Sequence, residues 1–171
     1  TGARSGGFRR DAEEPRERRE PVRKEIRSVP AEVYDGPPLG DDIDARELDR
    51  SITAQLKGLP EKLAARVARH LVAAGRLIDD DPETAYQHTL AAKARAARIA
   101  VEREAVGEAA YAAGHYAEAL AELRAAKRIN GATAYLPIMA DCLRAVGRPQ
   151  EALKLAKSPG VRNFQPAAKA E

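Results

Sequence analysis

The chain reads as an all-α protein: a helical-repeat array of about three helix hairpins, preceded by a capping helix and flanked by disordered N- and C-terminal tails. Three observations predict this. Of its 171 residues 44% are apolar but only 4% are aromatic, with no Trp. A core must then be built from Ala, Leu, Val and Ile, which suits closely packed helices better than pleated sheets. From Asp41 onward apolar residues recur three and four positions apart, the period of one helix face. Short segments rich in Gly and Ala echo each other 33 residues apart, a period typical of stacked helical hairpins.

Residues 1–30 hold nine Lys or Arg against six acids, which accounts for the whole net charge of +3 and leaves 20 basic and 20 acidic residues in the rest. Their Gly, Pro, Arg and Glu offer almost no apolar surface to offset ordering entropy, so they are expected to be disordered. Val29–Gly40, with Pro30, Pro37 and Pro38, reads as an extended connector whose apolar anchors are Val33 and Tyr34. Residues 1–40 thus form a basic tail and Pro-rich connector.

Helical signals begin at Asp41 and Asp42, either of which suits the cap of a helix over Asp44–Lys57 with Ile43, Leu48, Ile52 and Leu56 on one face. Gly58 ends it. Pro60 stands at a first-turn position, and Leu63, Val67 and Leu71 carry the next helix to about Leu77. Asp79, Asp80 and Asp81 break the pattern before Pro82 opens a helix to about Ala97. These acids read as helix caps, because the later positions of a calcium loop are missing. Further helices are predicted near 99–113, 116–129, 133–146 and 149–157, separated by Gly114, Gly131 and Gly147. The helical domain spans 41–157, and 158–171, with Pro159, Gly160 and Pro166, reads as a C-terminal tail.

Within that domain Gly114-His115-Tyr116-Ala117-Glu118-Ala119-Leu120 aligns with Gly147-Arg148-Pro149-Gln150-Glu151-Ala152-Leu153, and Pro82-Glu83-Thr84-Ala85 matches Pro149-Gln150-Glu151-Ala152 and marks the second helix of an earlier, more degenerate copy. This pattern resembles the tetratricopeptide repeat family, whose unit pairs two antiparallel helices. Gly107 stands at the small position of the first helix, Gly114 in the turn, Tyr116 at the aromatic position opening the second helix, and Ala119 and Ala126 at its small packing sites. The next copy supplies Ala140, Gly147, Ala152 and Ala156, but Pro149 replaces the aromatic. Arg103 and Gly131 depart from the family's usual Trp and Pro. Heavy use of Ala and Arg suits a bacterial member from a high-GC genome. The competing reading is a non-repeat Ala-rich bundle.

One cysteine, Cys142, excludes an intramolecular disulfide and suits a reducing compartment. No apolar run approaches the roughly 18 residues of a membrane span, and no signal-peptide core is visible, so a cytoplasmic location is expected. His70, His88 and His115 fall in different predicted elements without metal-ligand spacing, and no phosphate loop or nucleophile elbow is present. Cys142, beside Met139 and Leu143, reads as a buried thiol. No enzyme activity, metal or cofactor is expected.

The resemblance implies a protein-interaction scaffold whose first helices line a groove for a partner peptide or helix. Position by position, the groove residues are Lys62, Arg69 and Val72, then Glu104, Glu108 and Tyr111, then Asp141 and Arg144. Glu104 and Glu108 stand where some family members carry the Lys and Asn of a carboxylate clamp, which argues against a chaperone-tail adaptor. The alternative is an RNA- or ribosome-associated factor. It would use tail residues Arg9, Arg10, Arg16, Arg18 and Arg19 with a basic ridge of Lys93, Arg95, Arg98, Lys127 and Arg128. Phe8 is the tail's one aromatic, so base stacking has little support there.

Overall fold

A computed structural model describes residues 33–163. The predicted disorder of residues 1–30, and with it the tail arginines, lies outside the described residues, as do residues 164–171. The described chain is all-helical. Its helices are α1 (Arg50–Gln55), α2 (Glu61–Leu77), α3 (Pro82–Ala96), α4 (Ala100–Ala112), α5 (Tyr116–Asn130), α6 (Leu136–Ala145) and α7 (Pro149–Ala156), with short 3-10 turns at Ala45–Glu47, Leu56–Gly58 and Pro159–Asn163. Each of α2 to α7 packs against its neighbour in sequence, so the helices stack in chain order.

Local chemistry sets the boundaries. Asp81 accepts a hydrogen bond from the Thr84 amide, with Pro82 in the first turn, which starts α3 where the aspartates predicted a cap. The end of α4 is closed by three bonds: Ala113 N to Ala109 O, Gly114 N to Tyr111 O, and His115 N to Ala110 O. At the end of α6 the same set recurs 33 residues later: Val146 N to Cys142 O, Gly147 N to Arg144 O, and Arg148 N to Leu143 O. Gly114 and Gly147 adopt φ of +80° and +78°, the left-handed cap that lacks a Cβ penalty only in glycine. The sequence echo is thus a repeated turn geometry.

The core is made of small side chains. Gly107 on α4 lies so close to α5 that a Cβ there would stand 2.5 Å from Leu123 Cγ and Cδ2. Ala74, Ala85 and Ala109 form one buried cluster of small side chains among α2, α3 and α4. Leu56, Val67, Leu71 and Val101 fill one end, and Leu120, Leu123, Leu136, Met139 and Leu143 the other.

Three expectations need correction. The capping helix over Asp44–Lys57 is divided into a 3-10 turn, α1 and a second 3-10 turn, because Asp44 and Asp49 each cap a short helix of their own. Asp41 and Asp42 do not cap it. Val33 and Tyr34 are half exposed, so neither is a buried apolar anchor of the connector. It is held by polar bonds from Tyr34 and Asp35 to α2 and α3. Finally, the predicted C-terminal tail begins with an ordered turn: Val161 packs on the core and Gly160 sits close against Leu136 and Thr133.

Candidate functional site

α2 and α4 flank a cavity of about 400 Å3. Leu71, Val72 and Gly75 line it from α2, and Val101, Glu104, Ala105 and Glu108 from α4. Tyr135 closes one part, and Glu47, Leu48 and Ile52 of the N-terminal cap another. The cap is tied to α2 by charge. Arg76 bonds Asp42 at 2.7 Å and both carboxylate oxygens of Glu47, while Arg69 donates to the carbonyl oxygens of Ile43 and Gly40, each at 2.8 Å. The bond to Arg76 holds the Glu47 carboxyl below its ordinary range.

The eight groove residues predicted from sequence separate into three groups. Val72, Glu104 and Glu108 line the α2–α4 cavity. Tyr111, Asp141 and Arg144 form a chain between α4 and α6: the Tyr111 hydroxyl donates to Asp141 at 2.6 Å, and Arg144 pairs with the same carboxylate. This holds Asp141 below its ordinary pKa and raises the Tyr111 phenol to about 12. Lys62 and Arg69 instead face a different cleft, under residues 35–39. A groove lined continuously from Lys62 to Arg144 is therefore not what forms. Residues 40–52 of the chain cover its first part.

The carboxylates of the cavity wall are differently placed. Glu104 accepts from the Asn130 side chain at 2.7 Å. Glu108 is more deeply set; burial raises its pKa, and a hydrogen bond from Tyr135 opposes that rise in part. Arg76 is the one cation lining the cavity among the described residues, and Asp42 and Glu47 already engage it. The cavity therefore offers an apolar floor with acidic groups on its α4 wall.

The basic ridge is only partly formed. Lys93 is paired with Glu122 at 2.6 Å, where Arg103 also binds. Arg95 is buried against the connector, bonding Asp35 and the Tyr34 carbonyl. Arg98, Lys127 and Arg128 remain exposed at helix ends. Two of the five cations are thus committed inside the protein.

Some groups escaped the sequence reading. His70 and His88, on different helices, meet with their Nδ1 atoms 2.9 Å apart and are 1% and 3% exposed. Burial lowers both, His70 to about 4, with His88, Arg95, Arg66 and Arg69 adding to the effect. Glu102 is fully buried with neither carboxylate oxygen hydrogen-bonded among the described residues, and desolvation raises its pKa to about 8. His70 and His88 lie on separate helices, so no single-helix periodicity pairs them, and Glu102 lies in a segment of mixed charge that reads as surface. His115 sits in its turn as expected, half exposed and 2.7 Å from Glu83. Cys142 is buried, with its thiol raised to about 11.

Among the described residues no group of three or more His, Cys, Asp or Glu is placed to hold a metal ion, and no helix is long and apolar enough to cross a membrane. Compared with protein-family models, curated proteins and solved structures, the chain matches none.

Proposed function

We propose that the chain is a protein-interaction scaffold built from tetratricopeptide-like hairpins, and that the cavity between α2 and α4 receives a peptide or helix carrying apolar residues beside a Lys or Arg. The observation that carries this reading is the pairing of an apolar floor, Leu71, Val72 and Val101, with the acidic wall of Glu104 and Glu108. Apolar burial supplies affinity, and a cation between the carboxylates fixes register. Arg76 does not serve as that cation, since it is engaged with Glu47 and Asp42. The repeat reading draws support from the 33-residue recurrence of the closing turns and from the close crossing at Gly107. In this reading the basic residues 1–30 act as an auxiliary tether.

The test is selection from a displayed library of helical and extended peptides against the immobilised full chain. Enriched sequences should combine a Lys or Arg with apolar neighbours. Ala105→Arg, which puts a long side chain into the cavity, should weaken their binding at least tenfold, whereas deletion of residues 1–30 should leave it within about twofold. Enrichment that ignores Ala105→Arg would rule out the cavity as the binding site, and binding confined to RNA and lost with the tail would make the tail the binding element.

A further inference from the structure

Under residues 35–39 lies the second cleft, of about 660 Å3, on a face of α2 separate from the α2–α4 cavity. Its α2 wall is cationic: Lys62, Arg66 and Arg69 stand four and three residues apart on one helix face. Among the described residues one carboxylate lines it, that of Asp35, and this is shared between Arg66 and the buried Arg95 of α3. Arg69 uses two of its five N–H donors, on Nε and Nη2, for the carbonyl oxygens of Ile43 and Gly40, which are dipoles and leave its charge uncompensated. Lys62 is exposed and has no side-chain partner among the described residues.

A second observation is independent of this charge. His70 also lines the cleft and is 1% exposed. Its Nδ1 faces His88 Nδ1, and its other ring nitrogen, Nε2, is buried without a hydrogen-bond partner among the described residues. A buried polar atom left unpaired costs about 1–3 kcal/mol, which a hydrogen-bonding partner would recover. The surrounding arginines exclude a cationic one. If Nε2 carries the ring proton, His88 Nδ1–H donates to His70 Nδ1, and Nε2–H is left without an acceptor among the described residues.

We propose that this cleft binds a small phosphate-bearing anion, held by Lys62, Arg66 and Arg69 with His70 Nε2–H donating at its floor. The donor set matches the ligand. Guanidinium forks, an ammonium and an imidazole N–H supply donors alone, and a tetrahedral oxyanion supplies acceptors in several directions. Asp35 takes up Arg95 and part of Arg66 at one side, which leaves Lys62 and Arg69 to balance the ligand's charge. The cleft is larger than a bare phosphate ion needs, so it also accommodates the organic part of a phosphate monoester.

The test is a titration of the full-length protein with inorganic phosphate, and separately with free phosphoserine, at pH 7.5 and an ionic strength held constant with chloride. Arginine Nε and histidine ring resonances are followed by NMR. Saturable shifts at Arg66, Arg69 and His70 are expected. Lys62→Glu should weaken binding at least tenfold without changing the unfolding temperature, since that side chain holds nothing in the fold. Tighter binding of phosphoserine assigns the site to a monoester, and equal binding assigns it to the free ion. Shifts that follow chloride equally, fail to saturate, map elsewhere or persist undiminished in Lys62→Glu would overturn the proposal.

Discussion

Gly107 and Gly75 both lie inside helices, yet the same substitution should affect them in opposite directions. Replacing an interior helical glycine by alanine gains about 1 kcal/mol of backbone entropy and solvation. At Gly75 nothing lies within 4 Å of the added methyl, so Gly75→Ala should gain up to about 1 kcal/mol. At Gly107 the methyl meets Leu123 Cγ and Cδ2 at 2.5 Å, and Leu123 is only 1% exposed, held in the core. Overpacking of this kind costs about 1–3 kcal/mol, and at an approach of 2.5 Å it outweighs the propensity gain of about 1 kcal/mol, so Gly107→Ala should destabilise by up to about 2 kcal/mol. Urea unfolding of the two variants checks both signs, and a Gly107→Ala protein as stable as the parent would remove the close α4–α5 crossing. Gly107 was legible in the sequence as a small residue at a helix crossing. Residues whose neighbours come from distant positions were not: Arg95 reads as a ridge cation until Asp35, 60 residues earlier, is seen against it.

At the scale of elements, the repeated turn is the most informative feature, because two chemically different segments close in the same way. Alanine at Gly114 or Gly147 would have to adopt φ near +80°, at a cost of about 1–2 kcal/mol each. The two losses should agree within about 0.5 kcal/mol, because neither added Cβ meets an atom within 4 Å and the strain is confined to the backbone. Calorimetric unfolding of the single variants measures this. A large inequality would mean that the two turns share a sequence pattern but not an energetic role. The same punctuation explains why α2 to α7 were legible within a few residues: glycines end α4, α5 and α6, and prolines begin α3 and α7. Between Asp44 and Lys57 the signals conflict. Apolar spacing favours one helix, but the Asp49 side chain accepts from both the amide and hydroxyl of Ser51, which starts a new helix at Arg50. Local capping prevails there because the segment has Leu56 as its one buried residue to reward a continuous helix.

For the whole molecule, the candidate site was legible in residue type more than in grouping. Val72, Glu104 and Glu108 do share a cavity, while Lys62 and Arg69 belong to another cleft because residues 35–47 fold across α2. The buried ionisable groups sum into a property no single helix shows, a two-sided dependence of stability on pH. His70 and His88 have lowered pKa values in the folded protein, so the unfolded chain takes up their protons first; stability falls as pH drops below about 6.5 toward 4. Glu102 is raised to about 8, so the folded protein keeps a proton that the unfolded chain loses near pH 4.5, and its contribution falls as pH rises from there to 8. Above pH 6.5 the histidine contribution is constant, and Glu102, aided in the same direction by Glu108, governs the slope. Glu102→Gln removes the ionisation but keeps the shape and one buried polar group. It should therefore lie within about 1 kcal/mol of the parent at pH 5 and be more stable than it by about 3–5 kcal/mol at pH 8, as the rise from 4.5 to about 8 is worth about 1.4 kcal/mol for each pKa unit. Urea unfolding at pH 5, 6.5 and 8 measures the gap between the two proteins. A gap independent of pH would show that the Glu102 carboxyl keeps its ordinary pKa in the folded protein, as a solvated group does.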